Sequence, residues 1–237
     1  MICTILKLLN TKNYILKKSK NIQNLLKIKK NNKIAVIGSS SKLLQKKYGS
    51  KIDNHDVIIR FNRAPTKGFK KHVGSKTTLR FINEHTFQGI PYGKYVKQKE
   101  AKFVKKLKNK NICVIVEGNL SKIQRNKYLY SNRTNNILFL ENKLNHFLRF
   151  AIISDFNFFK KIYYYKYKPN FTTGMFVIAL MTIFKKKVSV YGFDKDKKNN
   201  NYGQYWKKTE TNTIHDYEEE SNIIKMLIKK NKISFFG

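Results

Sequence analysis

Cysteine is scarce: Cys3 and Cys113 are the only two in 237 residues, and nothing in their placement builds a disulfide framework. Acidic side chains are also few. Fourteen Asp and Glu stand against 50 Lys and Arg, for a formal net charge of +36. That balance attracts polyanions: nucleic acid, an acidic membrane, or an acidic sugar nucleotide. The lysines run through the whole chain instead of marking one arm or one helix face, so they read as solvated surface, with no specific nucleic-acid partner. A basic nucleic-acid-binding module remains the rival from another class, and its signature is salt-sensitive polynucleotide binding. No apolar run is long enough to cross a bilayer. Residues 5–9 come nearest, but Lys7 interrupts them and Asn10 and Lys12 follow. Residues 1–32 read as a basic arm, amphipathic and helical to Lys30, that packs on the domain or makes peripheral contact with an anionic membrane.

What is present suffices for a fold. With 41% apolar and 14% aromatic residues, residues 33–237 fit one α/β domain with a substantial core. The chain alternates short β-branched runs with helical patterns, which argues for a doubly wound, mostly parallel sheet flanked by helices. Strands are expected at 34–37, 57–61, 77–82, 112–116, 137–140, 188–193 and 233–236. Helices are expected at 41–48 (closed by Gly49), 94–108, 144–153 and 175–184, and again after His215.

Two stretches carry chemistry by residue type alone. Residues 33–83 begin with Ile34-Ala35-Val36-Ile37, which stops at Gly38 and three serines; this suits the first strand of a nucleotide-binding sheet. Thr172-Thr173-Gly174 sits directly before the apolar run 175–184. Hydroxyls and a glycine at a helix start suit an ordinary N-cap, and also an anion site built from free N–H groups and the helix dipole.

The motifs then resemble a known family. I-A-V-I-G-x-S, Y-G-x-x-I-D-x-H-D-x-x-I-R-x-N-x-A-P-T-x-G-F and V-G-S-K-T-T, in that order through 33–83, are similar to the long sialylmotif of the eukaryotic-type sialyltransferases, glycosyltransferase family 29. P-x-x-[ST]-T-G-M followed by V-x-V-Y-G-F resembles the short motif, Gln204-Tyr205-Trp206 the third, and His215 with Glu220 the His-x-x-x-x-Glu motif. The resemblance implies a single-domain glycosyltransferase (a GT-A-like variant) that transfers a sugar from a CMP-activated acidic donor to a glycan hydroxyl with inversion. The donor is CMP-sialic acid or, as in plant enzymes of the same fold, CMP-Kdo; the acceptor in the family is often galactose-terminated.

Carried over by motif position, His215 is the general base, a role that suits an imidazole titrating near neutrality. Gly38, Ser39, Ser40 and Asn62 contact the nucleotide, and Thr172, Thr173 and Gly174 the donor's sugar and phosphate region. Phe193 and Asp194 flank the cytidine, while Tyr205 and Glu220 complete the donor site. Gln204 stands where the family holds a phosphate-supporting histidine, and Ser39 where it usually holds an asparagine. An amide donates a hydrogen bond to phosphate but brings no charge, so a catalytically degenerate member is a further alternative. Asp194-Lys195-Asp196 looks like the Asp-x-Asp of metal-dependent glycosyltransferases; it falls where this family holds cytidine, and no metal or other cofactor is expected. The family's secretory members join the first two motifs by a disulfide, at positions held here by Ile34 and roughly Lys185. A reducing compartment or a lineage without the bridge is implied. Family members are usually Golgi membrane proteins; with no signal anchor or stem seen, the expected location is cytoplasmic or at a membrane periphery.

Overall fold

The computed structural model describes residues 28–83, 171–184, 187–194, 204–206 and 216–237. It also describes positions 24 and 86 and the backbone of 113–118 and 137–141, with the side chain of Leu140. Seven strands form one sheet: β1 (Ile34–Ile37), β2 (Val57–Phe61), β3 (Leu79–Asn83), β4 (Cys113–Gly118), β5 (Ile137–Glu141), β6 (Val188–Tyr191) and β7 (Ile233–Phe236). Their order is β5-β4-β3-β2-β1-β6-β7 and every pairing is parallel. The chain runs outward from β1 to β5, then returns to add β6 and β7 on the other side. The order therefore reverses between β1 and β6, and in open α/β sheets the crevice beyond the strand ends at such a reversal is where ligands bind.

A parallel sheet must be covered on both faces, and all four residues of β1 are buried. On one face Ile34, Val36, Ile59, Phe81, Val188 and Val190 pack with α3 (Thr173–Ile183) and α4 (Tyr217–Lys229). Every residue of α3 from Met175 to Met181 is buried, as expected for a helix that is apolar all round. The α4 helix is one-sided: Ile223, Ile224 and Leu227 face in while Lys225 and Lys229 are exposed. Ile28, at the end of the segment read as an arm, is buried in this same cluster. On the other face Ala35, Ile37 and Ile58 meet Leu43, Ile52, Val73 and Tyr205. These come from a 3-10 helix (Ser41–Gln45), α1 (Gly49–Asp53), α2 (Lys70–Val73) and the segment 204–206.

Some boundaries differ from the sequence reading. The helix expected at 41–48 is a 3-10 turn that ends at Gln45, with Lys46 extended (φ −135°, ψ 153°). Gly49 does not close a helix; it opens α1. A Cβ there would lie 2.1 Å from the carbonyl oxygen of Lys70, so glycine permits close packing of α1 on α2. The strand expected at 77–82 starts at Leu79, because the Thr77 and Thr78 hydroxyls accept from Arg60 Nε and the Ile58 N–H. β6 stops at Tyr191, where Gly192 turns the chain with φ +67°. The helices expected at 94–108 and 144–153 and most of the N-terminal arm lie outside the described residues. Among the described residues, no helix is long and apolar enough to cross a membrane.

Two polar anchors fix the loop that enters β3. The Asp53 carboxylate accepts the N–H groups of Ser75 (2.8 Å) and Lys76 (3.0 Å) and the Ser75 hydroxyl (2.8 Å). The fully buried Arg60 donates to the carbonyls of Val73 (2.5 Å) and Lys76 (3.0 Å). Burial pulls the Arg60 guanidinium down to about 10, which still leaves it charged at neutral pH. Burial alone would raise the Asp53 carboxyl, but the Lys76 and Ser75 donors and the Arg60 charge outweigh it and the net shift is downward. A carboxyl with a depressed folded-state value stabilises the fold above its unfolded value, and that contribution is lost as pH falls through the folded one. Asp53→Asn is therefore expected to lower Tm at neutral pH, with the gap to wild type closing as pH drops from about 5 to about 3; a thermal melt series across that range checks it.

Candidate active site

The crevice at the reversal is built where the turns leaving β1 and β6 meet. The Gly38 N–H donates to the Tyr191 carbonyl (2.7 Å) and the Ser40 N–H to the Gly192 carbonyl (3.0 Å). A Cβ on Gly38 would stand 2.2 Å from the Gly192 oxygen and 2.8 Å from Cδ2 of Phe193. A Cβ on Gly174 would stand 2.7 Å from Cε1 of the same ring. Phe193 is thus a wedge between the turn after β1 and the first turn of α3, with its ring edge on Phe61 at 6.1 Å. Two glycines far apart in the chain are required by one aromatic ring.

The start of α3 is tied from behind. The Thr172 hydroxyl accepts from the Met175 N–H (3.1 Å) and donates to Glu220 Oε2 (2.9 Å), while the Thr172 N–H donates to Glu220 Oε1 (2.6 Å). Glu220 is buried in the first turn of α4, so this carboxylate joins the two helix starts. With Thr172 and Met175 satisfied, the N–H groups of Thr173 and Gly174 are the helix-start donors left without a partner among the described residues.

The third motif docks on the first. The Tyr205 N–H donates to the Ser39 carbonyl (2.9 Å), and Gln204 forms an antiparallel bridge with Ser40. Tyr205 is buried, with its ring edge on Phe69 (5.1 Å) and Trp206 (4.5 Å), and its hydroxyl donates to the Pro65 carbonyl (2.6 Å). Burial pushes its phenol up to about 12 against the pull of Arg60 and Arg80. The group stays neutral, and its work here is to clamp the loop after β2. That loop carries Asn62, held at φ +39°. Its Oδ1 accepts the Asn83 N–H (3.1 Å), which leaves its Nδ2 donors uncommitted among the described residues.

Eleven residues expected at the donor site are described, and all lie at this end of the sheet or on the elements that meet it. Their division of labour is new. Thr172, Tyr205, Glu220 and Ser40, whose hydroxyl accepts from the Lys42 N–H (3.2 Å), spend their polar groups on the scaffold, whereas Ser39, Asn62, Thr173, Gly174 and Gln204 border the crevice. Asp194 forms an ion pair with Lys42 Nζ (2.8 Å), and its carbonyl accepts from the Ser221 hydroxyl (3.0 Å); Asp196 lies outside the described residues. So does His215, although the next residue, Asp216, caps α4 by accepting from the Glu219 N–H (3.0 Å). Lys42, Arg80, Asn83 and Ser221 were not anticipated. For Arg80 a signal existed: a charged residue inside an otherwise apolar strand.

The family model for glycosyltransferase family 29 (sialyltransferase) matches residues 4–232. The chain belongs to this family. Among curated proteins, the family member is 30% identical over 217 residues to mouse CMP-N-acetylneuraminate-beta-galactosamide-alpha-2,3-sialyltransferase 2, covering 85% of this chain and 56% of that protein. It is 26% identical over 208 residues to the pig sialyltransferase 1 of the same name, covering 85% of this chain and 57% of that protein. The chain thus spans a little over half the length of these relatives. Among solved structures, a mammalian sialyltransferase in complex with Gal-beta-1-3GalNAc-ortho-nitrophenol superposes with a TM-score of 0.57 at 22% identity, over 93% of this chain and 79% of that one. The fold is therefore the expected α/β fold of sialyltransferases.

The Glu220 link generates a stability prediction. Glu220→Gln keeps the shape but replaces a charged double acceptor by an amide that offers one oxygen. It is expected to cost about 1–3 kcal/mol, read as a lower urea midpoint with an unchanged slope.

Proposed function

We propose that this protein transfers sialic acid from CMP-sialic acid to a hydroxyl of a glycan, in a single inverting displacement. The observation that carries the reading is the convergence, at the sheet reversal of a family 29 chain, of the Gly38–Ser40 turn, Asn62 and the helix-start donors of Thr173 and Gly174, unpaired among the described residues. Backbone N–H groups at a helix start suit the phosphate of CMP, since they add fixed partial positive charge to directed donors. Asn62 and the serine turn suit the polar edges of the nucleotide, and Phe193 supplies the apolar wall.

In the proposed step the acceptor oxygen forms a bond to the anomeric carbon while that carbon's bond to the CMP phosphate oxygen breaks. His215 takes the acceptor proton, and CMP leaves with the electron pair towards the start of α3. His215 stands one residue before the cap of α4, the helix whose Glu220 holds Thr172; that chain connection supports its assignment to this end of the site. The reaction so written asks for no metal. The acceptor is proposed to be galactose-terminated, by analogy with the β-galactosamide in the relatives' names.

Incubation with CMP-sialic acid, with CMP-Kdo run in parallel, tests the reading through CMP release and transfer to glycan acceptors. Transfer of sialic acid, with the same rate in a chelator, is the expected result. If neither donor is consumed and CMP leaves Tm unchanged, the enzyme reading falls; salt-sensitive polynucleotide binding that survives His215→Ala would favour the nucleic-acid alternative. His215→Ala is expected to lower transfer by about 10²–10⁴-fold with CMP affinity nearly intact, as measured by calorimetry. Gln204 brings a neutral donor to the leaving group where a protonated imidazole brings charge. Gln204→His is accordingly expected to raise kcat about tenfold or more below neutral pH, checked by a pH–rate profile of both forms.

A further inference from the structure

The face of the sheet opposite α3 buries two guanidinium groups side by side. Arg60 on β2 and Arg80 on β3 are partners in register, and both are buried. Both donate to backbone carbonyls. Arg60 reaches Val73, Lys76 and Thr77, on the loop that enters β3. Arg80 reaches the opposite end of the sheet: its Nη1 donates to the carbonyls of Asn62 (2.7 Å), Ala64 (3.2 Å) and Phe61 (3.4 Å). Together with the Tyr205 hydroxyl on the Pro65 carbonyl, four carbonyls within five residues are held by two buried side chains.

The segment so held contains a backbone that L residues rarely adopt. Asn62 sits at φ +39°, a region that asparagine tolerates better than most but that the surroundings must enforce. The Arg80 bond to its carbonyl is the shortest of the three, and it acts on the peptide unit that sets this turn. In that conformation Asn62 Oδ1 meets the Asn83 N–H at the end of the neighbouring strand, which fixes the side-chain amide and keeps Nδ2 available at the crevice.

We propose that Arg80 is a positioning residue: by gripping the carbonyls of Phe61, Asn62 and Ala64 it holds Asn62 in its left-handed conformation and so presents the Asn62 amide to the nucleotide. The nucleotide part of this statement rests on the function proposed above; the conformational part does not. A guanidinium suits the task because its rigid, planar group holds Nη1 in place among the convergent carbonyls of Phe61, Asn62 and Ala64, whereas an ammonium on a flexible stem is less preorganised.

The test has a ligand-free arm and a ligand arm. In the free protein, hydrogen exchange at the Asn83 amide reports its bond to Asn62 Oδ1. Arg80→Met is expected to speed that exchange by about tenfold or more, while the Phe81 and Ile82 amides within β3 keep wild-type protection. Arg80→Lys should fall between, and it carries the test if the methionine variant does not fold. Arg60→Met, which removes a comparable set of buried carbonyl bonds at the other end of the sheet, should lower Tm without changing Asn83 exchange. Unchanged Asn83 exchange in both Arg80 variants would overturn the proposal.

In the ligand arm, calorimetry with CMP should show Asn62→Ala and Arg80→Met weakened about tenfold each, and the double variant no weaker than either single one. Additive losses, or full CMP affinity in Arg80→Met when Asn62→Ala has lost it, would overturn the positioning role. Absence of CMP binding by the wild-type protein would instead remove the proposed function and leave the exchange experiment to decide what Arg80 holds.

Discussion

The turn after β1 and the turn after β6 lie so close that a methyl group at position 38 would overlap the Gly192 carbonyl, and this contact governs the candidate site. It exists because both turns leave adjacent parallel strands at the same level: Ile37 is in register with Tyr191. Phe193 fills the space beside it and in turn sets the distance of α3, since its ring touches the positions of both Gly38 and Gly174. The helix-start donors are therefore placed relative to the serine turn by one side chain packed to van der Waals contact, in an interior with little room to adjust.

Around that contact, polar groups work mainly on backbone. Asp53 binds three N–H groups or hydroxyls of one loop, Glu220 both polar groups of Thr172, and Arg60 and Arg80 a set of carbonyls. Burying a guanidinium is costly unless its donors are satisfied, and strand ends supply carbonyls that need donors just where loops begin. The two arginines supply donors to the carbonyls of these loops. The result is a crevice whose lining loops are held from behind, and whose front keeps a few donors uncommitted.

Much of this was legible beforehand for definite reasons. β1, β2, β5 and β7 were read within a residue of their observed bounds, because buried parallel strands are short, apolar and β-branched and end at Gly, Asn or Asp. The helix at 173–183 was readable from its apolar length. Missed boundaries have a common cause. Gly49 resembles a helix stop, yet serves close packing with a helix twenty residues later; Thr77 and Thr78 resemble strand residues, yet their hydroxyls are engaged by β2. Local pattern reports propensity and cannot report a partner distant in sequence.

The same division runs through the site. The residue types, their spacing and their family motifs were determined by the sequence alone, including the departures at Ser39 and Gln204, because motif order is a property of the chain itself. Which of those residues face a ligand and which hold the scaffold was decided only by the tertiary structure. Thr172, Tyr205 and Glu220 match the motifs as well as Thr173 and Gly174 do, but their hydrogen-bonding groups are consumed by Met175, Pro65 and one another. A donor or acceptor can be spent once, and where it is spent depends on neighbours that only folding brings within about 3 Å.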